Sequence, residues 1–344
     1  MLTRVPGKKI VTAALLKPPM AGRGEQSRAC ILILFLVRTN PIPDFVMNIL
    51  SFDIEDWFHL LDTDTTRTEH QWSGFESRIE HNTDRILDLL HTLRCKATFF
   101  CLGWAARAHP GLIRRINALG HEIATHTDSH QLAYEQTPSL FRQDLQRSIQ
   151  ALEDCIGEKV RAARIPGFSV TRQTPWVFEA LLDCGIEIDS SVFPARRAHG
   201  GFPEFGLARP CWISRDNAGI KEFPVNTAAI LGVPMVFSGG GYFRLIPYAL
   251  LRRLMNRAAY VMTYFHPRDF DPHQPIVPGL PLTRRLKSYT GLKASFEKLR
   301  RLLREFPFCD IAEAHDRINW DTAPVHALDN IRFRGPTLSG DTAP

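Results

Sequence analysis

From Met47 onward, short apolar runs alternate with longer stretches whose apolar residues recur at helical spacing, and this alternation constrains the fold most. Asn48 to Phe52 and Ala97 to Cys101 read as strands. Between them Ile79, Ile86, Leu89, Leu90 and Leu93 mark one face of a helix. Pro110 to Leu119 reads as a second helix, with Pro in its first turn and Gly120 just past its end. Glu122 to Ala124 is then a short strand. Thr137-Pro138 opens a long helix that turns Leu140, Phe141, Leu145, Ile149, Leu152 and Ile156 inward and stops at Gly157. Pro175 to Cys184 repeats the design, halting at Gly185 before a strand over Ile186 to Ile188. Lys221 to Val225, a helix from Pro247 to about Arg257, and a strand from Tyr260 to Phe265 follow. A helix over Gly291 to Phe306 and a last strand around Phe308 to Ile311 complete the pattern. Strands alternating with helices give an α/β protein with a largely parallel sheet.

At 344 residues the chain is long enough for two domains or one large barrel. Its 44% hydrophobic content supplies a core, which excludes general disorder, a collagen-like repeat and a disulfide-stapled miniprotein. The net charge of +6 sits in clusters such as Arg196–Arg197, Arg252–Arg253 and Arg284 to Lys287. These read as solvated surface, with an anionic glycan or lipid headgroup as the alternative. No long basic stripe interleaves with aromatics, so nucleic acid is not an expected partner. Seven cysteines without a Cys-x-x-Cys pair indicate neither a disulfide framework nor a cysteine zinc site, which fits a reducing, cytoplasmic setting. The strongest apolar run near the N-terminus, Ala29 to Val37, is far shorter than the ~20 residues that cross a bilayer. The expected organisation is an extension over 1–46, with translation starting at Met47; a domain over 47–315; and a tail over 316–344. A genuine signal or short anchor in 1–46 would instead place the protein in the periplasm or on a membrane.

Ionisable residues collect at the ends of the expected strands. Asp53, Glu55 and Asp56 follow the first, His126 and His130 follow the third, Arg164 ends another, and His266 follows Tyr260 to Phe265. In parallel α/β proteins the carboxyl edge of the sheet is where sites assemble. His126 and His130, four apart, face one point if the chain turns helically, as ligands of one metal ion would. Side chains alternate along a strand, so Asp53 and Glu55 point together while Ile54 enters the core. Two neighbouring buried carboxylates resist joint ionisation unless a cation lies between them. A solvated turn or helix cap is the plainer account of the acids, and ordinary surface or loop positions that of the histidines. Taken together they make a two-His, one-carboxylate metal site.

Motifs in order and at fixed intervals carry a resemblance. They are Ser-Phe-Asp-Ile-Glu-Asp-Trp-Phe (51–58), Ala-Thr-Phe-Phe (97–100) and Gly-His-Glu-Ile-Ala-Thr-His-Thr-Asp-Ser-His (120–130). Further on come Arg-Ile-Pro-Gly-Phe-Ser-Val-Thr (164–171), Asp-Ser-Ser-Val-Phe-Pro (189–194), Ser-Gly-Gly-Gly-Tyr-Phe-Arg (238–244) and Tyr-Phe-His-Pro (264–267). From about Asn48 to Ala314 the chain resembles polysaccharide deacetylases of the NodB-homology class, carbohydrate esterase family four, and within it the exosortase-associated subfamily. The resemblance implies a distorted (β/α) barrel of about seven strands, a divalent ion that is usually zinc, and hydrolysis of acetyl groups from the sugars of a polysaccharide or oligosaccharide. It assigns Asp53 as catalytic base, His126 and His130 as metal ligands, Arg164 as holder of the base carboxylate, and His266 as general acid. Strand alternation favours Glu55 as the metal carboxylate, with Asp56 as the alternative. The family's Tyr before the arginine is Ala163 here, and its Trp after His-Pro is Arg268; both departures bear on substrate contacts rather than on the chemistry.

An oxyanion would rest on the metal and on a backbone N–H between Phe100 and Gly103 or at Phe168–Ser169. Trp57, Phe58, Trp104, Phe168, Trp212 and Tyr242 are candidates to rim the site, or else core and loop anchors. Gly239–Gly241 lacks the Gly-Lys-Ser/Thr ending of a phosphate loop and reads as a backbone-close loop at the cleft. Asp189-Ser190-Ser191 would either contact sugar hydroxyls or cap a strand end. Alternative functions are hydrolysis of a small amide, as in allantoinase-like relatives, and a non-catalytic glycan-binding barrel.

Overall fold

A computed structural model describes residues 46–327, apart from 62, 198, 216–217 and 231–232. Nearly all of the expected N-terminal extension and the end of the expected tail therefore lie outside the described residues. Strands β1 (Met47–Ile49) and β2 (Ser51–Ile54) are one extended run interrupted at Leu50. The single-turn helix α1 (Glu69–Trp72) and then α2 (Ile79–Leu93) follow, leading to β3 (Thr98–Cys101). Helices α3 (Gly103–Ala108) and α4 (Pro110–Ala118) precede β4 (Glu122–Thr125), and α5 (Pro138–Ile156) precedes β5 (Ala162–Ala163). After α6 (Trp176–Asp183) come β6 (Ile188–Asp189), β7 (Cys211–Arg215), β8 (Ala218–Glu222), β9 (Ala228–Ile230) and β10 (Val233–Met235). The chain continues with α7 (Gly240–Leu245), α8 (Tyr248–Met255), β11 (Tyr260–Met262), α9 (Leu282–Tyr289), α10 (Leu292–Glu305), α11 (Ile311–Arg317) and β12 (Val325–Ala327).

Helix boundaries follow local chemistry. Thr137 accepts the Leu140 amide at the start of α5, and Gly157 ends that helix at φ +72°, a left-handed position that glycine adopts without a Cβ penalty. The main sheet runs β12-β7-β8-β6-β5-β4-β3-β2, parallel throughout except for the β7–β8 hairpin. On the far side of β2, β1 pairs in parallel with β11, and Phe52 bridges to Phe265. The segment after β8 meets β11 through side chains: Tyr260 donates to Pro224 O, and Asn226 Oδ1 accepts the Met262 amide at 3.0 Å. No backbone ladder joins these two edges among the described residues.

Several expected elements take another form. The strand expected around Phe308 to Ile311 is reduced to one bridge, Ile49 to Cys309, because Asp310 caps α11 and turns the chain away. The β7–β8 and β9–β10 hairpins are new. Past residue 315, β12 pairs with β7 and Trp320 lies against Trp212 and Phe223.

Strand alternation sorts the interior into layers. Ile49, Phe100, Ala124, Ala162, Ile188 and Met262 form one buried apolar cluster inside the curved sheet. Two residues further along the same strands stand Ser51, His126, Arg164, Ser190 and Tyr264, so the same face turns polar toward the carboxyl edge. Phe52, Ile54, Phe99 and Cys101 face the other way, into the main core beneath the helices.

Glu122, at the start of β4, accepts hydrogen bonds from Thr98 Oγ1 and the Ala312 amide. Burial, reinforced by Asp310, pushes its carboxyl up to about 7. The folded chain thus keeps a proton that the unfolded chain releases above about pH 4.5, so stability falls as pH rises from there through about 7. Glu122→Gln is expected to remove roughly 2–3 kcal/mol of the decline between pH 5 and 8. Urea unfolding of both proteins at the two pH values checks this, and an unchanged decline in the variant overturns it.

Candidate metal centre and cleft

The carboxyl ends of β2, β4, β5 and β11 open into a cleft of about 360 Å³. Asp53, the third residue of β2, and Glu55, just past its end, both face this cleft, while Ile54 between them is buried in the helix-side core. Asp56 does not join them. Its carboxylate accepts Ser77 Oγ at 2.6 Å and the amides of Arg78 and Ile79, which caps the start of α2. Of the two acids considered for the metal, the structure therefore brings Glu55 to the histidines.

Glu55 Oε1 lies 3.0 Å from His126 Nε2 and 2.9 Å from His130 Nε2, all three residues being buried. His126 Nδ1 donates to the carbonyl of Arg164 at 2.6 Å. A carbonyl only accepts, so Nδ1 carries the proton, and the Nε2 lone pair faces a carboxylate oxygen. Two acceptors at that distance need a proton or a cation between them. This N,N,O donor set, with its orienting second hydrogen bond, fits a divalent ion held by Glu55, His126 and His130. Burial alone would raise the Glu55 carboxyl, but His130, His266 and His126 around it outweigh burial and hold it well below the ordinary range.

The two histidines do not converge through a helical turn, as their spacing led us to expect. Residues 126–132 form a loop in which Thr127 (φ +63°) and His130 (φ +54°) take left-handed conformations. Asp144 on α5 pins that loop by accepting the amides of Asp128 and Ser129 and the Ser129 hydroxyl. Strain in the loop is thus offset by hydrogen bonds from a neighbouring helix.

Arg164, wholly buried, donates through one Nη to Asp53 Oδ1 at 2.7 Å and to Ser51 Oγ at 2.8 Å. Its other nitrogens reach Ser190 O and Ser190 Oγ, and its guanidinium carbon lies 4.0 Å from the centre of the Phe100 ring. His266 places Nε2 3.8 Å from Asp53 Oδ2 and 3.9 Å from Glu55 Oε1. Its Nδ1 donates to Asp269 at 2.9 Å. Burial pushes this imidazole down, but Glu55, Asp269 and Asp53 together outweigh it and bring the ring up to about 9.

Two participants escaped the sequence reading. Asp269 is signalled by its position three residues after His266, where it also accepts the His266 amide. His59 lines the cleft, fully buried, with Nδ1 accepting the Asp56 amide and Nε2 without a partner. Burial and the neighbouring His130 hold its pKa well below the ordinary histidine value. Only its place eight residues after Ser51 in the same acidic motif marks it.

Of the aromatic candidates, Phe168 and Tyr242 line the cleft. Trp57, Phe58 and Trp104 belong to the core, with Phe58 and Trp104 packed against His59, and Trp212 sits on β7 against Trp320. Asp189, Ser190 and Ser191 face inward: Ser190 holds Arg164, and Ser191 bonds Asp189 and the Ile165 amide. Gly240 and Gly241 line the cleft as the first turn of α7 rather than as a loop; at Gly239, just before that helix, a Cβ would sit 2.2 Å from Tyr264 O. Of the amides expected to hold an oxyanion, Phe168 N is committed to Ile165 O, Ser169 N to Pro166 O and Gly103 N to Thr127 O. Gly167 (φ +65°), beside them, lines the cleft, and a Cβ there would meet Leu132 at 2.7 Å and Leu61 at 2.9 Å.

Comparison with known proteins agrees with this arrangement. Residues 63–187 match the family model for polysaccharide deacetylases, and residues 190–316 match a domain of unknown function, DUF3473. A chitooligosaccharide deacetylase of Rhizobium leguminosarum bv. trifolii is 50% identical over 50 residues, 14% of this chain and 23% of that protein. A peptidoglycan-N-acetylglucosamine deacetylase of Bacillus cereus is 33% identical over 63 residues, 18% of this chain and 30% of that protein. The matches thus span less than a third of the length of these curated relatives. A crystal structure from Mycobacterium smegmatis, described as a polysaccharide deacetylase, superposes with a TM-score of 0.57 at 20% identity, covering 86% of this chain and 97% of that one. That likeness shows the fold. The polysaccharide deacetylase match covers residues 63–187 and the DUF3473 match follows it over 190–316, each a little over a third of the chain.

Proposed function

We propose that this protein is a metal-dependent deacetylase that hydrolyses the acetamido group of an N-acetylated sugar in a polysaccharide or its lipid-linked precursor, in exopolysaccharide synthesis. The observation that carries this is the meeting of Glu55, His126 and His130 at one carboxylate oxygen, with the Asp53–Arg164 and His266–Asp269 pairs on the same cleft. The strands that would frame it as a distorted (β/α) barrel meet at one edge through the Tyr260 and Asn226 side chains, without a ladder among the described residues.

Glu55, His126 and His130 would hold the ion, and their donor set suits zinc. A divalent ion supplies polarisation of the amide carbonyl and acidification of water. Asp53 takes the proton of the attacking water on Oδ2, because Oδ1 is tied to Arg164. Gly167 lines the cleft, and its backbone N–H would receive charge developing on the carbonyl oxygen. His266 gives its Nε2 proton to the departing amine, while Asp269 holds the opposite edge of the ring. The sugar amine and acetate leave, and the proton taken by Asp53 returns to His266 through solvent.

Wild-type protein is expected to bind one divalent ion per chain and to release acetate from N-acetylhexosamine oligomers. His126→Ala and Glu55→Gln should lose the ion and the activity together. Asp53→Asn should keep the ion and lose activity about 10²–10⁴-fold. Elemental analysis alongside acetate release checks both, and full activity in His126→Ala overturns the proposal.

Removing Arg164 leaves Asp53 a buried, unpaired charge. Arg164→Met is expected to destabilise the protein by about 3–5 kcal/mol at pH 7. Adding Asp53→Asn should recover part of that loss, because the second change removes the uncompensated charge. Denaturant unfolding of the double-mutant cycle measures the coupling, and strictly additive losses would show that the pair is not coupled.

A further inference from the structure

Basic residues from three distant segments face the cleft beside the metal centre. Arg197 comes from the loop after β6, Arg268 from the turn after His266, and Arg284 and Lys287 from α9. Arg284 Nη2 lies 2.8 Å from His199 Nε2, which ties α9 to that loop across the cleft. Burial and the nearby charges of Arg284, Arg197 and Arg244 lower the Lys287 ammonium, so these cations crowd one another.

Acids of the same cleft make no ion pair with Arg197, Arg268 or Lys287 among the described residues. Asp53 is held by Arg164, Glu55 by the two histidines, and Asp269 by His266 and Arg244. Arg268 is only 7% exposed, yet among the described residues its guanidinium makes no hydrogen bond and no ion pair. Arg197 lies over the rings of Phe168, Phe193 and Tyr264, and its buried Nη1 has no hydrogen-bond partner. A buried guanidinium without a partner is costly unless a ligand supplies one. Its planar fork of donors matches a carboxylate or a phosphate.

We propose that the substrate carries an oxyanion, a carboxylate on the residue next to the sugar that is deacetylated or a phosphate at that sugar's own anomeric oxygen, and that Arg268 binds it with Arg197 and Lys287 around it. This rests on the glycan-directed function proposed above and names its substrate class. Arg268 stands two residues from His266, so the charged group would lie on the leaving-amine side of the reacting acetamide. The clustered cations would also draw an acidic polymer toward the cleft, more strongly at low salt.

Calorimetric titration of the metal-loaded full chain with four probes tests this. The probes are a neutral N-acetylglucosamine tetramer, a tetrasaccharide alternating N-acetylglucosamine with glucuronic acid, and N-acetylglucosamine 1-phosphate against free N-acetylglucosamine. At least one charged probe should bind ten-fold or more tighter than its neutral counterpart, and the one that does identifies carboxylate or phosphate as the group. Arg268→Gln should bring that preference to within about two-fold of unity. Lys287→Gln, an exposed change, should weaken it about two- to five-fold should the Arg268 variant fail to fold. Equal affinities for charged and neutral probes in the wild type, or a preference untouched by either variant, overturn the proposal. Acetate release measured on the same samples separates the two readings. Charge-selective binding without turnover would sink the deacetylase function and leave the subsite standing, whereas turnover without charge preference would do the reverse.

Discussion

The guanidinium of Arg164 is the interaction on which the site depends. It is fully buried, and charge in such a place persists only when paired and hydrogen-bonded on every side. Asp53, Ser51 and both oxygens of Ser190 meet that requirement, and the face of Phe100 closes it from below. The same residue's carbonyl fixes the tautomer of His126. One position just past β5 therefore joins the proposed base on β2, the histidine after β4 and the serine after β6. Moving any of these strands by one residue would reverse every inward side chain and leave Arg164 unpaired. Register and site are specified by the same contact.

What the sequence showed and what it hid divide along the range of the forces involved. Helices such as α2 and α5 were legible because their start and stop signals are local: an apolar stripe, Thr137 before Pro138, Gly157 at the end. The pairing of Asp53 with Glu55 was legible because strand alternation is a local rule. Choosing between Glu55 and Asp56 was not open to any local rule, since the N-terminus of α2, more than twenty residues on, recruits Asp56. The His126–His130 pair was found by spacing, but its geometry was misread. A helical turn would leave amides of that turn to be satisfied, whereas Asp144 satisfies them from another helix in a looped conformation. His59 and Asp269 went unseen because each works through a hydrogen bond to a nearby backbone amide, which composition and period do not register. Strand β12 was hidden for the opposite reason. Val-His-Ala has no strong strand signature of its own, and pairing with β7 supplies what the three residues lack.

The basic clusters show the same limit in electrostatic form. Arg196–Arg197 and Arg284 to Lys287 look like solvated surface when each is taken with its sequence neighbours. In the fold the loop carrying one and the helix carrying the other stand across a single cleft, with Arg268 at its floor. Charge that is unremarkable along the chain becomes concentrated in space, and only the topology decides which clusters meet. Arg252 and Arg253, equally basic, remain on α8 away from that cleft.

Charge is also segregated within the cleft. Asp53, Glu55 and Asp269 are each bonded to a cation or an imidazole, so on the sheet side positive and negative groups are matched. On the loop side Arg197, Arg268 and Lys287 have no acid paired with them among the described residues, which would set up a field from loop to sheet. A neutral sugar would lie in such a field without a preferred direction. One bearing a negative charge on a single side would be turned so that this side meets the arginines and the acetamide faces Glu55 and Asp53. Orientation of this kind costs no moving parts, because the charges are fixed by the scaffold before the ligand arrives. The unpaired guanidinium of Arg268 is then a feature of preorganisation, with its stability cost offset elsewhere by the core that holds the turn Pro267–Phe270 in place.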